Sequence, residues 1–253
     1  MARGMAATVA AALALAGCGD GVELDRLAAG PHARVASALS GDTLKLTTGA
    51  ELRLAGVEAP HGSDPYAPQS RALLQGLAAG QDIERLYGGA RADPTGREVA
   101  QARLSRGRRW LEGELLRAGA VRVRTFADNR ALAKRMLDLE AGARKARRGL
   151  WALPAYQVRL PEEVAPGGED FEVVEGRVVR VGRTGATTYL DFAQDWRRGL
   201  SVHIPRSAAD DFDLANLDLS SLRGRLVRVR GLVRGGRTLW LDHPEALEVL
   251  KEP

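Results

Sequence analysis

The sequence predicts a β-rich α+β fold in two blocks, and three observations carry that expectation. Short runs of alternating apolar and polar residues, bounded by Ser-Gly and Thr-Gly pairs, recur along the chain. In the first block three longer segments with apolar residues three and four apart interrupt them. In the second, five strand signals carry one helix-like stretch after the third, the element order that a small OB-like β-barrel needs.

The first block begins with Val35 to Leu39, which leads into the Ser40-Gly41 turn. Thr43 to Leu46 alternates, and Thr48-Gly49 turns the chain into Leu52-Arg53-Leu54. Pro65 to Gln81 reads as a helix with Pro68 in its first turn and Leu73, Leu74 and Leu77 as its apolar stripe. Ile83 to Leu86 and Val99 to Leu104 are short strands around a loop carrying Asp93-Pro94-Thr95-Gly96-Arg97. Trp110 to Ala118 is a second helix stopped by Gly119, and Asp128 to Arg147 a third with Leu132, Met136, Leu139 and Ala143 on one face. After a Pro-, Gly- and Glu-rich linker come strands at Val173–Val181, Thr188–Phe192, Leu200–Ile204, Leu226–Val233 and Thr238–Leu241, with Ser207 to Asn216 as the helix-like stretch.

Composition bounds the function classes. Of 253 residues 45% are apolar and 27% charged, enough to bury a core and too ordered a balance for a disordered or fibrous chain. The net charge is +5, with 33 Arg against 4 Lys. Guanidinium groups grip phosphate in a planar fork, which suits nucleic acid, although a coding bias toward Arg gives the same count. The apolar run Ala6 to Gly17 is far short of the roughly 20 residues a spanning helix needs. It ends in Leu15-Ala16-Gly17-Cys18, at the sole cysteine, and this tetrapeptide resembles the bacterial lipobox. The resemblance implies a signal peptide over 1–17, lipid attachment at Cys18, a tether over 18–32 and a lipid bilayer as partner. It implies the bacterial cell envelope, with the outer membrane preferred because Gly19 is not the Asp associated with inner-membrane retention. Spent on lipid, Cys18 leaves nothing for a disulfide.

Four motifs carry the chemistry. Gly41-Asp42-Thr43, Arg53-Leu54-Ala55-Gly56-Val57-Glu58-Ala59-Pro60-His61, Asp93-Pro94-Thr95-Gly96-Arg97 and Gly149-Leu150-Trp151 follow one another in order, with helices between them. At this order and spacing residues 33–151 resemble the staphylococcal-nuclease-like (thermonuclease) family. The resemblance implies an OB-type β-barrel with three helices over residues 33–153. Residues 154–169 then form a linker, and 170–253 resemble the β-rich domain that follows such modules in some bacterial proteins. It also implies calcium-assisted phosphodiester hydrolysis on single-stranded or flexible nucleic acid. Arg53 and Arg97 stand at the two catalytic arginines, Asp42 and Glu58 at carboxylate metal ligands, and Ala59 where a backbone carbonyl serves. Arginines suit a reaction in which negative charge grows at phosphoryl oxygens, and carboxylates suit a hard cation.

The departures lie in the same site. His61 stands where the family has the Glu that activates water, Glu58 is one methylene longer than the usual Asp, and Thr125 and Ala127 replace stacking tyrosines. Imidazole is a general base near neutral pH but prefers softer metals than calcium. The implied activity is therefore weakened hydrolysis or, alternatively, a degenerate nuclease-fold lipoprotein that binds without turnover. Taken singly, Arg53 also reads as a surface Arg, Arg97 as a turn residue paired with Asp93, Asp42 as an Asx-turn residue and His61 as a passive loop residue. His32, His203 and His243 stand without metal-ligand neighbours and read as structural or exposed. No Ser/His/Asp arrangement, phosphate-cradling Gly loop or Cys/His zinc spacing occurs.

In the second block Arg177, Arg180, Arg183, Arg197, Arg198, Arg223, Arg225, Arg228, Arg230, Arg234 and Arg237 interleave with Tyr189, Phe192, Trp196 and Trp240. Such interleaving serves single-strand binding in OB barrels. The favoured expectation is the plainer one: the aromatics fill the barrel core while Arg alternates outward.

Overall fold

A computed structural model describes residues 23–167 and 170–251. The expected signal peptide and the lipid-attachment residue Cys18 lie outside the described residues. Among the described residues no helix is long and apolar enough to cross a membrane.

The first block closes as a five-stranded barrel. Its strands are β1 (Ala28–Ala38), β2 (Thr43–Leu46), β3 (Glu51–Leu54), β5 (Asp82–Tyr87) and β6 (Glu98–Leu104), paired in the order β1-β2-β3-β6-β5 and back to β1. All pairs are antiparallel except β3 with β6. Period-two alternation sends Leu44, Leu46, Leu52, Leu54 and Ile83 into the interior, all nearly solvent-free. Three helices cover the barrel: α1 (Ala67–Ala78), α2 (Leu111–Ala118) and α3 (Ala133–Lys145). They contribute Leu74, Leu111, Leu115, Leu116 and Met136 to the same core. Truncating one such leucine to alanine costs about 2–5 kcal/mol. The short strands β4 (Val57–Glu58) and β7 (Arg122–Val123) pair beside the barrel and bring residues 58 and 122 together.

Two boundaries differ from expectation. Residues 23–32, expected to be tether, are folded: Leu24 is buried, Asp25 pairs with Arg103, and β1 already begins at Ala28, opposite Tyr87. The third helix starts at Ala133 rather than Asp128. Residues 126–129 form a tight turn whose Asn129 side chain donates to the Ala90 carbonyl, and Leu132 enters the helix at a φ of 67°.

The second block repeats the barrel order. Its strands are β8 (Phe171–Arg177), β9 (Arg180–Thr184), β10 (Thr187–Asp191), β11 (Ser201–Pro205), β12 (Leu226–Arg234), β13 (Thr238–Trp240) and β14 (Leu247–Val249). They run β14-β12-β13-β11-β10-β9, with β8 against β12. Val178 donates to Arg225 on the β12 side and Val179 to Asp191 on the β10 side. Thus β8 and β9 are two halves of one bent strand, and the order closes as β8/β9-β10-β11-β13-β12-β8. This is the strand order of the first barrel, again with the third and fifth strands parallel. Helix α4 (Arg206–Leu214) lies between β11 and β12, as α1 lies between the third and fourth strands of the first barrel. A second small OB-like β-barrel therefore follows the first.

The expected role of its aromatics is corrected. Only Phe192 is buried; Trp196 and Trp240 are exposed and Tyr189 is half-buried. Valine and leucine fill the interior instead, through Leu190, Val202, Val227, Val229 and Leu239. Asp and Glu nearly balance this block's bases, with Asp210, Asp211 and Asp213 gathered on α4.

The linker is packed. Tyr156 and Val164 are buried, and Arg159 bridges to β8. The two barrels are joined by a shared cluster of Leu150, Trp151, Tyr156, Phe171 and Val173. Across the joint, Arg230 on β12 donates to Glu140 on α3 at 2.9 Å, and Thr125 Oγ1 meets His243 Nε2 at 2.7 Å; within the second barrel Arg230 also donates to Glu248 at 2.8 Å.

Candidate active site

The β1–β2 turn builds the floor of the site. Gly41 is required there because a Cβ would stand 1.9 Å from Ser70 Oγ and 2.8 Å from the Ala59 methyl. The next residue, Asp42, is fully buried, and its carboxylate is a hub. Oδ1 accepts from Ser40 Oγ at 2.7 Å and Thr43 Oγ1 at 3.0 Å, while Oδ2 accepts from the Ala59 N–H at 2.9 Å and Arg53 Nη1 at 3.2 Å. Burial alone would push this carboxyl up, but the Arg53 charge and the Ala59 N–H outweigh it and hold its pKa below the ordinary value.

Arg53 rises from β3 beside it. Its Nη2 donates to Glu58 Oε2 at 2.9 Å and to the Val57 carbonyl at 3.3 Å, so the guanidinium spans both carboxylates. Glu58 also accepts from Arg124 Nη1 at 2.8 Å. The His61 side chain is half-exposed, with Nε2 3.5 Å from Asp42 Oδ2 and 3.8 Å from Glu58 Oε1. Asp42, Glu58 and His61 each offer one ligand atom, and these atoms lie within 4.8 Å of one another.

Arg97 comes from the β5–β6 loop. Asp93 folds that loop by accepting from the backbone of Thr95 and Arg97, with Gly96 supplying the φ of 83° the turn requires. The Arg97 side chain pairs with Asp93 at 2.8 Å. Burial raises the Asp93 carboxyl; the Thr95 hydroxyl and the Arg97 groups together outweigh it and bring it down to about 2. The turn-residue role of Arg97 is thus real, and it coexists with a place in the site. Arg53, Glu58, His61 and Arg97 all line one cleft of about 710 Å³.

Reading the sequence missed Arg124 and Phe126. Arg124 pairs with Glu58, stands 5.2 Å over the Phe126 ring and lines the same cleft. Among 33 arginines on alternating strands nothing singles it out. Phe126 is 42% exposed and borders the cleft between the two expected tyrosine positions. Thr125 is buried against His243, and Ala127 lines the cleft without a ring.

The carboxylates of Asp42 and Glu58 fit a divalent cation. The third donor, the His61 nitrogen, does not fit a calcium shell, which takes oxygen atoms. The Ala59 residue is buried with its N–H turned to Asp42.

The first block is thus a five-stranded OB-type barrel with arginines and carboxylates converging on one cleft. Residues 51–153 match the family model described as staphylococcal nuclease homologue, and the chain carries a domain of that family. A search of curated proteins finds no match.

Proposed function

We propose that the cleft hydrolyses phosphodiester bonds of nucleic acid with calcium assistance. One observation carries the reading: Arg53, Glu58, His61 and Arg97, from two separated motifs, line a single cleft above the buried Asp42 of a third. In-line attack by water adds negative charge to the phosphoryl oxygens, and Arg53 and Arg97 donate hydrogen bonds to that charge. To do so, each exchanges a carboxylate held in the present structure, Glu58 for Arg53 and Asp93 for Arg97. Asp42, Glu58 and the Ala59 carbonyl would hold calcium, which supplies positive charge against the phosphoryl group when bound. Pinned by Ser40, Thr43 and Ala59, Asp42 offers a ligand position that costs little to order. His61 takes the proton of the attacking water as a neutral imidazole. A poorly matched base lowers the rate by a factor of about 10²–10⁴.

A second reading, binding of nucleic acid without turnover, is favoured by the imidazole in the base position. It is also favoured by the pairing of Arg53, Arg97 and Arg124 with carboxylates. In either case the lipobox-like Leu15-Ala16-Gly17-Cys18 would anchor the protein to the bacterial envelope, with the outer membrane preferred. The test is turnover of single-stranded DNA and RNA with calcium and with a chelator. Calcium-dependent cleavage lost in Arg53→Ala supports hydrolysis; retained binding with no cleavage supports the second reading.

A further inference from the structure

On the outside of the second barrel three rings form one row across three strands. Tyr189 on β10 is the register partner of His203 on β11, which is the partner of Trp240 on β13. Their neighbours Leu190, Val202, Ile204 and Leu239 are buried in the interior, so strand alternation turns the three rings outward. The ring centroids are 4.7 and 5.0 Å apart, each pair edge to face. Trp240 is 51% exposed at one end. At the other end Gly182 pairs with Tyr189, and a Cβ there would meet nothing within 4 Å. Burial holds His203 below its ordinary value, with Asp191 opposing more weakly, so the middle ring is uncharged at neutral pH.

The row ends beside the cleft. Trp240 and Phe126 line one hollow of about 250 Å³ at the joint between the barrels. Arg124, Phe126 and Asp242 line both this hollow and the cleft, which sets the two side by side. Arg234 lines the hollow and has no carboxylate partner among the described residues. It opens the β12–β13 turn, the connection between the fourth and fifth strands of this barrel. OB barrels take oligonucleotides on the face of their second and third strands and with this same loop, stacking bases on exposed rings beside cations.

We propose that this outer face is a base-stacking platform for single-stranded nucleic acid, which receives the strand as it leaves the cleft past Phe126. The inference rests on the cleft's being a nucleic-acid site only for the path of the strand. A protein partner fits less well. Three rings, two of them half-buried, offer far less than the roughly 800 Å² per partner of a stable protein interface, and Arg234, near Trp240 and with no carboxylate partner among the described residues, calls for an anion.

The experiment measures binding of end-labelled oligo(dT) of 4 and 20 nucleotides to the full chain by fluorescence anisotropy, with a chelator present to stop cleavage. The wild type should bind the 20-mer more tightly than the 4-mer. Trp240→Ala should weaken 20-mer binding roughly 5- to 150-fold, the ~1–3 kcal/mol of one stacked base, and Trp240→Phe should keep most of it. Tyr189→Leu preserves apolar bulk on the strand and should weaken the same binding, a check if Trp240→Ala folds poorly. Equal 20-mer affinity in wild type, Trp240→Ala and Tyr189→Leu overturns the platform, as does no binding by the wild type. Cleavage with ring-independent binding sinks the platform alone. Ring-dependent binding without cleavage sinks hydrolysis alone.

Discussion

Replacing Arg230 by methionine tests how the two barrels are held together. The Arg230 side chain is 2% exposed and that of Glu140 is 0% exposed, so their ion pair at 2.9 Å is cut off from water. Methionine keeps the aliphatic bulk and removes the guanidinium. Glu140 then loses its main partner but keeps the Val123 N–H at 2.6 Å and Arg144 at 3.0 Å, while Glu248 loses a bond of 2.8 Å. Breaking one side of a buried pair costs about 3–5 kcal/mol. The partners left on Glu140 put this case near the lower end, about 3 kcal/mol, equivalent to a fall in Tm of roughly 6–12 °C for a chain of this size. Urea unfolding followed by tryptophan fluorescence and near-UV circular dichroism reads the change. Because the pair ties α3 to β12, the second barrel should loosen first and split one transition into two. A loss below about 1 kcal/mol, with a single unchanged transition, would refute the reasoning.

Glu112 gives a prediction in pH. Burial pushes its carboxyl from 4.5 up to about 8, against the opposing pull of its own N–H and that of Ala102. Between those values the folded protein keeps a proton that the unfolded chain has released. Stability from this group is therefore whole below about pH 4.5 and declines as pH rises toward 8, by an amount of order 4 kcal/mol. Glu112→Gln should flatten that slope, and a wild-type urea midpoint unchanged between pH 5 and pH 8 would contradict it. Gly41→Ala forces a methyl group into Ser70 and Ala59 and should cost about 1–3 kcal/mol, read as a lowered Tm together with weaker divalent-cation binding at Asp42. A variant as stable as the wild type would show that the turn has room the geometry denies.

What the sequence makes legible here follows physical rules. Asp42, Arg53, Glu58, His61 and Arg97 are readable through the order and spacing of motifs that resemble the staphylococcal-nuclease-like family; taken singly, most of them read as ordinary surface, turn or loop residues. Their convergence comes from barrel closure, which joins β3 to β6 in parallel and carries Arg53 and the Arg97 loop to one side. The start of β1 is not readable. Ala28-Ala29-Gly30-Pro31 has no β-branched residue, and pairing with β5 across an irregular register makes it a strand. The early start expected for α3 fails because Asp128 and Asn129 favour a turn, which Ala90 completes. The outward rings of the second barrel are hidden because the alternation is symmetric: a strand of this composition buries either face until the partner strands fix which one lies inside.

The proposed reaction is phosphodiester cleavage in the cleft through Arg53, with His61 as a weakened base. The most direct measurement is the single-turnover rate on single-stranded RNA and DNA across a calcium titration, for the wild type, Arg53→Ala and His61→Glu. Slow calcium-dependent cleavage is expected of the wild type, none above background for Arg53→Ala, and a faster rate with tighter calcium dependence for His61→Glu. No cleavage by either the wild type or His61→Glu, at saturating calcium and with the fold intact, would contradict it.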